Sequence, residues 1–288
     1  MKFRQLAVAA LSMTLVAGFI IGSSVKSQAA VKKILVVTHT TGFRHSSIPT
    51  SEKVLKELGE KSKLFTVDYC RNGDDVKKML TPEGLAGYDA VIFSNTTGNL
   101  GIPDLTAFLN WIKAGHAFLG MHSASDTYHP NDVGGDLAYV AMVGGEFKTH
   151  AAQCEVVCKV EDAKHPAVKD LAPEYVVKDE IYEFWTTKDN VNKKEHFVQT
   201  REDKHVLLAL DKHPDDSHAN AKEPGDYLIS WCSMYGKGKV FYTALGHRED
   251  VWESEKYQKH VLGAIKWALG LARGSAAPAP MVKPVAAR

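Results

Sequence analysis

The order of hydrophobic and polar positions predicts strands and helices that alternate through the first half of the chain. Short apolar runs, typical of buried strands, occur at residues 33–38, 64–69, 88–93 and 117–121. Between them, apolar residues three or four positions apart predict helices at 49–58, 76–80 and 103–113. Strands that alternate with helices in this way indicate βαβ units with right-handed crossovers. The first half therefore predicts a doubly wound, mostly parallel sheet.

The strand predicted at residues 117–121 runs directly into a short polar turn. Gly120 and Ala124 place small residues on either side of an exposed apex, an arrangement similar to the elbow that carries a nucleophile in many hydrolases. The apex residue here is His122. An imidazole suits a general base, a proton shuttle or a metal ligand better than it suits acyl-enzyme chemistry. The alternative is a histidine that only caps the turn.

Polar loops follow two other predicted strands. The loop after the first strand contains His39, Arg44 and His45, and the loop at 94–99 contains hydroxyl and amide side chains. Ligands of open α/β sheets bind beyond the carboxyl ends of the strands, so we expect both loops to meet the His122 turn. Their donors and acceptors suit a polyhydroxylated or carbonyl-bearing small molecule, although such residues are also common in ordinary loops. Neither GxGxxG nor GxxxxGK[ST] is present, so no nucleotide cofactor is expected.

From residue 133 onward the alternation gives way to glycine-rich and strand-like segments. Further strands are predicted at 154–160, 177–184, 206–210, 227–231 and 239–244. A closing helix begins at residue 252, and the polar loop at 211–225 is expected to be solvated, with His213 on the surface. The complete pattern predicts an α/β chain with a flavodoxin-like sheet and inserted strands.

Other candidate site residues lie in this second half. The glycine-rich segment at 143–150 contains Phe147 and His150, and His247 follows the last predicted strand as His122 follows the central one. The segment at 177–184 places three carboxylates, including Glu180, among apolar residues. Carboxylates in an apolar strand cost free energy unless they are paired or face a cavity. At least one of them is therefore expected to face the pocket.

The two ends of the chain differ in composition from its centre. Residues 1–29 combine basic residues, an apolar run and a small-x-small sequence, which predicts a signal peptide and export to the periplasm or beyond. An uncleaved N-terminal anchor is the alternative. Residues 32–271 are predicted to form one domain, and the Ala/Pro-rich residues 274–288 a disordered tail.

Charge and cysteine content limit the classes of partner. The net charge is +1 without a block of like charge, so neither nucleic acid nor, for the mature chain, a membrane surface is expected as a partner. Four cysteines in an exported chain could pair. Cys154 and Cys158, however, lie four positions apart in one predicted strand, about 13 Å, which is too far for a mutual bridge. We interpret all four as buried thiols and leave a disulfide at Cys70 open.

Five motifs in order carry a resemblance to a known family. They are THTTGFRHSSIP, GMHSASDTYH, GGEFKTHA, DEIYEFW and YGKGKVFYTALGHREDVW. The combination resembles the trehalose-utilisation (ThuA-like) family over residues 32–271. The resemblance implies a class I glutamine amidotransferase-like fold and a role in carbohydrate metabolism, with 3-keto sugars derived from trehalose or related glycosides as the substrate class. The elbow residue of the wider amidotransferase-like group is a nucleophilic cysteine. His122 stands at the matching position, which argues against glutaminase activity.

Two functions from different classes follow. The first is an enzyme that acts on a sugar or 3-keto-sugar by proton transfer beside a carbonyl or by glycoside cleavage, as an isomerase, lyase or glycoside hydrolase. His122 would be its general acid or base, with His150 and His247 as partners and Asp179 or Glu180 as the orienting or second acid–base group. The residues expected to contact the sugar are His39, Arg44, His45, Asp126, Phe147 and Tyr182. A sugar oxidoreductase is a candidate partner that would supply the keto-sugar.

A variant of this enzyme uses a divalent metal. The ligands would be His45, His122, His150 and His247, because neutral imidazoles are common metal ligands. No pair among them has the i, i+4 helical spacing of a strong metal motif, so no metal ligand is assigned from the sequence.

The second function is that of a non-catalytic extracytoplasmic sugar-binding module. Such a module needs aromatic side chains against the faces of the sugar, and the candidates are Phe43, Tyr128, Phe147, Tyr182 and Trp185. The remaining histidines of interest are interpreted as structural. They are His129, His165, His196, His205 and His260.

Overall fold

The computed structural model of the chain describes residues 30–186, 195–215, 217, 219 and 221–279. The predicted signal peptide and residues 280–288 of the predicted tail lie outside these ranges. Among the described residues, no helix has both the length and the apolar character needed to cross a bilayer.

Eleven strands and seven α-helices make up the described part of the chain. The strands are β1 (Lys32–Val37), β2 (Phe65–Cys70), β3 (Ala90–Ser94), β4 (Ala117–Met121), β5 (Phe147–His150), β6 (Cys154–Val160), β7 (Glu174–Asp179), β8 (Tyr182–Phe184), β9 (His205–Lys212), β10 (Pro224–Tyr235) and β11 (Gly238–Thr243). The helices are α1 (Ile48–Ser62), α2 (Gly73–Met79), α3 (Pro82–Leu85), α4 (Leu105–Lys113), α5 (Leu137–Val143), α6 (Glu249–Glu253) and α7 (Glu255–Ala268). A 3₁₀ turn spans His122–Asp126.

Five strands form the parallel half of the main sheet, in the order β2-β1-β3-β4-β11. This is the flavodoxin-like order, in which ligands bind beyond the carboxyl ends of the strands near the point where the order reverses. The predicted fold class is therefore confirmed. The structure also confirms that β4 lies inside the sheet, between β3 and β11.

The inserted strands extend the sheet in the antiparallel sense. Beyond β11 the order is β10-β9-β6-β7, and each of these pairings is antiparallel. One predicted strand proved to be two. The segment 177–184 ends its first strand at Asp179, and Tyr182 begins β8, which pairs with β5 in a separate two-stranded sheet. The prediction for His213 is wrong, because this side chain is only 2% exposed at the end of the β9–β10 hairpin.

The core consists of two layers, one on each face of the sheet. In β1, Ile34 and Val36 pack with helices α1 and α7, whereas Leu35 and Val37 pack on the opposite face with α2, α3, α4 and α5. Successive side chains of a strand point to opposite faces. A continuous apolar strand is thus the consequence of helices that cover both faces.

Side-chain caps fix where several helices begin. Asn72, Asp104, Asp136 and Ser254 each accept a hydrogen bond from a backbone N–H in the first turn of the following helix. Replacement of such a cap by alanine costs about 1 kcal/mol. Ser254 lies between α6 and α7, so its cap marks where α7 begins directly after α6.

None of the four cysteines, all of which lie in the described ranges, forms a disulfide. Cys70, Cys158 and Cys232 are buried, and Cys154 is half-buried. The interpretation of the cysteines as thiols is confirmed, and no disulfide forms at Cys70.

Candidate functional site

Four ionisable side chains from four separate segments converge at the carboxyl ends of the parallel strands. His45 lies in the loop after β1, His122 in the turn after β4, Glu180 directly after β7 and His247 in the loop after β11. Each offers one nitrogen or oxygen atom, and these atoms all lie within 4.8 Å of one another. We call these four residues the imidazole–carboxylate cluster.

His122 is held in a strained but well-determined orientation. Its φ of 47° lies in the left-handed region, which is uncommon for a residue with a side chain and is concentrated at functional sites. The Tyr242 hydroxyl donates to the His122 carbonyl at 2.6 Å. His122 Nδ1 lies 2.8 Å from the carbonyl oxygen of Ala244, which can only accept. Nδ1 therefore carries the proton, and the lone pair of Nε2 faces the cluster.

His247 and Glu180 are positioned by one buried carboxylate. Asp179 accepts hydrogen bonds from the backbone N–H of Gly246 at 2.7 Å and of Glu180 at 3.0 Å. Gly246 has a φ of 110°, and a Cβ there would lie 2.6 Å from the Tyr257 hydroxyl, so only glycine fits. Asp179 thus ties the end of β7 to the loop after β11. This link brings Glu180 beside His247.

Three of the cluster's donor atoms form a small triangle. His247 Nδ1 lies 3.1 Å from Glu180 Oε2 and 3.2 Å from His122 Nε2, and the distance from His122 Nε2 to Glu180 Oε2 is 3.4 Å. The other carboxylate oxygen, Oε1, lies 3.2 Å from Nδ1 of His150. His150 is more open to solvent than the cluster residues, with 42% of its side chain exposed. It therefore stands at the mouth of the site.

The surroundings shift the pKa values of the cluster residues in different directions. Burial, together with the neighbouring His122 and His247, lowers the pKa of His45 to about 3, so its imidazole is neutral at pH 7. Burial alone would raise the pKa of Glu180, but the adjacent imidazoles of His122 and His247 outweigh it and hold the pKa well below its ordinary value. Burial also opposes protonation of His247, yet the hydrogen bond to Glu180 raises its pKa. The cluster thus holds a carboxylate beside imidazoles of different basicity.

The structure places the other predicted site residues at different distances from the cluster. The Tyr182 ring packs on His122 with centroids 4.1 Å apart, and Phe147 packs on Tyr182 at 4.2 Å. Asp126 is the last residue of the His122 turn. His39 and Arg44 are not part of the cluster: the Arg44 guanidinium donates to the carbonyl of Thr38, beside His39. Direct contact of these two residues with a small ligand at the cluster therefore has no support from their positions.

The candidate aromatic platforms also differ in accessibility. Phe43 is 67% exposed and lies edge-on to His45, with ring centroids 4.8 Å apart. Tyr128 is 3% exposed, and its hydroxyl accepts the N–H of Ile102, so the prediction that it forms a sugar platform is wrong. Trp185 stacks on His196 at 3.9 Å.

A second network of charged residues was missed in the sequence. Glu146 is fully buried and accepts from His129 at 3.2 Å, from His196 at 2.7 Å and from the backbone N–H of Phe197 at 2.7 Å. The other ring nitrogen of His129 lies 2.5 Å from Asp126. Burial opposes protonation of His129, but the hydrogen bonds to Asp126 and Glu146 raise its pKa to about 9. Asp126 is thereby held by a charged partner, which the spacing of these residues in the sequence did not indicate.

Comparison with known proteins gives one family match and several similar folds. A family model described as ThuA, trehalose utilisation, matches residues 33–268. The chain is similar to a ThuA-like protein from Bacteroides uniformis at 22% identity, covering 86% of this chain and 95% of that one with a TM-score of 0.61. A ThuA-like protein from Parabacteroides merdae is similar at 18% identity, 88% and 94% coverage and a TM-score of 0.63.

A third solved structure has a similar fold at lower sequence identity. A cytoplasmic protein from Salmonella typhimurium LT2 is similar at 13% identity, covering 82% of this chain and 99% of that one with a TM-score of 0.54. At these identities the likeness concerns the fold alone. No curated protein sequence matches the chain.

Proposed function

Because the chain belongs to the trehalose-utilisation (ThuA) family, we propose that it is a carbohydrate-active enzyme that processes a sugar, a 3-keto-sugar or a glycoside by histidine-based acid–base chemistry. The observation that carries the proposal is the convergence of His122, His247 and Glu180 within 3.4 Å of one another at the carboxyl ends of parallel strands. Perturbed ionisable groups in such a place are typical of catalytic sites.

The chemistry that suits this cluster is proton abstraction beside a carbonyl. The base takes the proton from the carbon next to the carbonyl, and the electron pair of that C–H bond forms the double bond of an enolate. Negative charge then develops on the carbonyl oxygen, where a positioned donor stabilises it. The neutral Nε2 of His122 is a base, and His247, with its raised pKa, is a donor. One site thus supplies both groups that the step needs.

The surroundings of the cluster support a sugar as the substrate class. Phe43 presents an exposed ring next to His45, and Asp126 adds a carboxylate at the end of the His122 turn. Apolar sugar faces pack on aromatic rings, and sugar hydroxyls donate to carboxylates. The proposal includes export through residues 1–29 and a sugar oxidoreductase as the source of a keto-sugar.

Exchange of hydrogen for deuterium tests the proposal directly. The purified protein is incubated in D₂O with trehalose, glucosides and their 3-keto forms, and NMR follows both products and deuterium incorporation beside the carbonyl. We expect incorporation or turnover above the protein-free rate with a keto-sugar. In His122→Ala the rate should fall by about 10²–10⁴-fold, the usual contribution of an acid–base group.

His116→Ala is the matched control, because His116 precedes β4 at the end opposite to His122. Its rate should equal that of the wild type. Equal rates in His122→Ala would remove the catalytic assignment. Sugar binding without turnover or exchange would instead favour the sugar-binding module, for which the exposed ring of Phe43 is the supporting observation.

A further inference from the structure

We propose that the imidazole–carboxylate cluster binds one divalent transition-metal ion, with His45, His122, Glu180 and His247 as its ligands. Binding of the ion is independent of the proposed function, whereas its role in sugar chemistry rests on that function.

The distances among the donor atoms match those of a metal site. Nitrogen and carboxylate ligands lie about 2.0–2.2 Å from zinc, so two ligands at a tetrahedral angle are about 3.3–3.6 Å apart. The triangle of His122 Nε2, His247 Nδ1 and Glu180 Oε2 has edges of 3.2, 3.1 and 3.4 Å. An ion would need only slight expansion of this triangle.

The orientation of the rings supports the same conclusion. The centroids of His45, His122 and His247 are 5.0, 5.1 and 5.1 Å apart, and the ring planes are inclined at 90°, 84° and 79°. Three rings that are nearly equidistant and nearly perpendicular form a propeller about one point. Rings packed only for van der Waals contact have no reason to direct a nitrogen of each towards that point.

The groups behind the ligands are those that a metal site requires. Metal-bound histidines usually donate their second ring N–H to a carbonyl or carboxylate, which fixes the tautomer. His122 does so through Nδ1 to the carbonyl of Ala244 at 2.8 Å. Asp179 accepts from the backbone N–H of Glu180 and of Gly246, the residue before His247, so the two ligands that follow β7 and β11 are held side by side. The ligand positions are therefore determined without the ion.

The donor set also indicates which ions fit. Three imidazoles and one carboxylate suit zinc and neighbouring transition metals, whereas magnesium and calcium prefer all-oxygen sites. In the sugar reaction such an ion would polarise a carbonyl oxygen. Proton transfer would then fall to side chains beside the ligands. His150, at 3.2 Å from Glu180, is the candidate at the mouth of the site.

Metal titration of chelator-treated protein tests the inference. Zn²⁺ binding is measured by calorimetry, and Co²⁺ binding by the visible absorption that reports coordination geometry. We expect one equivalent of each ion. His122→Ala and His247→Ala should each weaken binding by about 100-fold or more, since loss of a second-shell partner alone costs 10–100-fold. His116→Ala should bind as the wild type does, and melting curves confirm that each variant is folded.

Two results separate this inference from the proposed function. Absence of stoichiometric binding, or equal affinity in the wild type and a folded His247→Ala variant, overturns the metal site even if a keto-sugar is turned over. Stoichiometric binding that depends on His122 and His247 supports the site even if no sugar reacts, and in that case it is the proposed function that fails.

Discussion

Two groups of histidines in the described part of the chain are built differently. In the imidazole–carboxylate cluster, nitrogens of His122 and His247 lie within 3.4 Å of each other and of one carboxylate oxygen. In the second group, formed by His165, His205 and His260, each ring has its own partners. His260 Nδ1 lies 2.8 Å from the carbonyl of Ala167, and His205 lies between the carbonyl of Ala277 and Asp162.

Burial alone does not separate the histidine proposed to be catalytic from those of the second group. His260 and His122 are both fully buried, and both donate Nδ1–H to a carbonyl. They differ in the other nitrogen: Nε2 of His122 faces two ionisable side chains, whereas Nε2 of His260 has no hydrogen-bond partner among the described residues. Convergence of ring nitrogens on a shared point, and not burial, distinguishes the group proposed to react from imidazoles that fill a core.

The largest effect should come from removing the shared carboxylate. Glu180→Gln keeps the size of the side chain but removes the charge that both His122 and His247 face. We expect turnover of a keto-sugar to fall by about 10³-fold, within the range of acid–base groups. Steady-state kinetics at pH 7 measures the change, with circular dichroism to verify the fold.

The second group of histidines supplies the matched control. Asp162→Asn removes a carboxylate that lies 3.0 Å from His205, and turnover should stay within about twofold of the wild type, since Asp162 lies outside the cluster. Comparable losses in Glu180→Gln and Asp162→Asn would mean that the two groups do not differ in function.

The next prediction concerns acid stability in the second group. Burial lowers the pKa of His260 from 6.5 to about 4. Between these pH values the unfolded chain binds a proton that the folded chain does not. Stability is therefore lost as the pH falls from about 6.5 towards 4, by about 3 kcal/mol at most from His260. His260→Asn can still donate to Ala167 but does not titrate, so its urea-unfolding free energy should fall less steeply over this range.

The measurement compares slopes, because His260→Asn can lower stability at every pH by leaving a small cavity. A variant as steeply pH-dependent as the wild type would show that His260 is not responsible. His165, whose pKa burial and the neighbouring His205 lower to about 4, would then be the next candidate.

Much of the parallel half could be predicted from the sequence. Apolar runs located β1 to β4 and β11 to within about two residues, because strands covered on both faces must be continuously apolar. The expectation that His122 and His247 meet followed from one rule: the carboxyl ends of parallel strands share an edge of the sheet. The expectation for Glu180 followed from the cost of an unpaired carboxylate in an apolar strand. Their roles remain predictions.

Other parts of the site depend on contacts that leave no local pattern. Glu146 lies 17 residues from His129 and 50 from His196, and it directly precedes β5, which pairs with β8 outside the main sheet. The spacing of hydrophobic residues in the sequence does not indicate this pairing. The loop with His39 and Arg44 was placed at the correct edge, but the backbone directs Arg44 to the carbonyl of Thr38. The direction in which a loop side chain points is set by such hydrogen bonds, which the sequence does not reveal.

A third prediction concerns the stability of the Glu146 network at alkaline pH. Burial opposes protonation of His129, but Asp126 and Glu146 raise its pKa from 6.5 to about 9. The stability that this ion pair contributes is fully present below about pH 6.5 and is lost as the pH rises through 9. With 18% of the His129 side chain exposed, we expect about 1–2 kcal/mol. His129→Gln should abolish this loss of stability at alkaline pH, whereas His116→Gln should retain it. The free energy of unfolding, measured with urea at pH 6, 8 and 10, tests the prediction.

The smallest effect concerns the rim of the cluster and separates substrate binding from catalysis. Phe43 is 67% exposed although its loop is fixed, with its carbonyl accepting from the Thr97 hydroxyl at 2.9 Å. An ordered, exposed ring 4.8 Å from His45 is a surface on which a sugar face could pack. Phe43→Ala should raise KM about tenfold and leave kcat within about twofold, because the lost contact is the same in the ground and transition states.

Val133→Ala is the control, since Val133 is 96% exposed and apolar. If both variants kept the wild-type KM, Phe43 would be an exposed ring without a role in binding. A fall in kcat alone would place Phe43 with the cluster, as a residue that shields His45 from water.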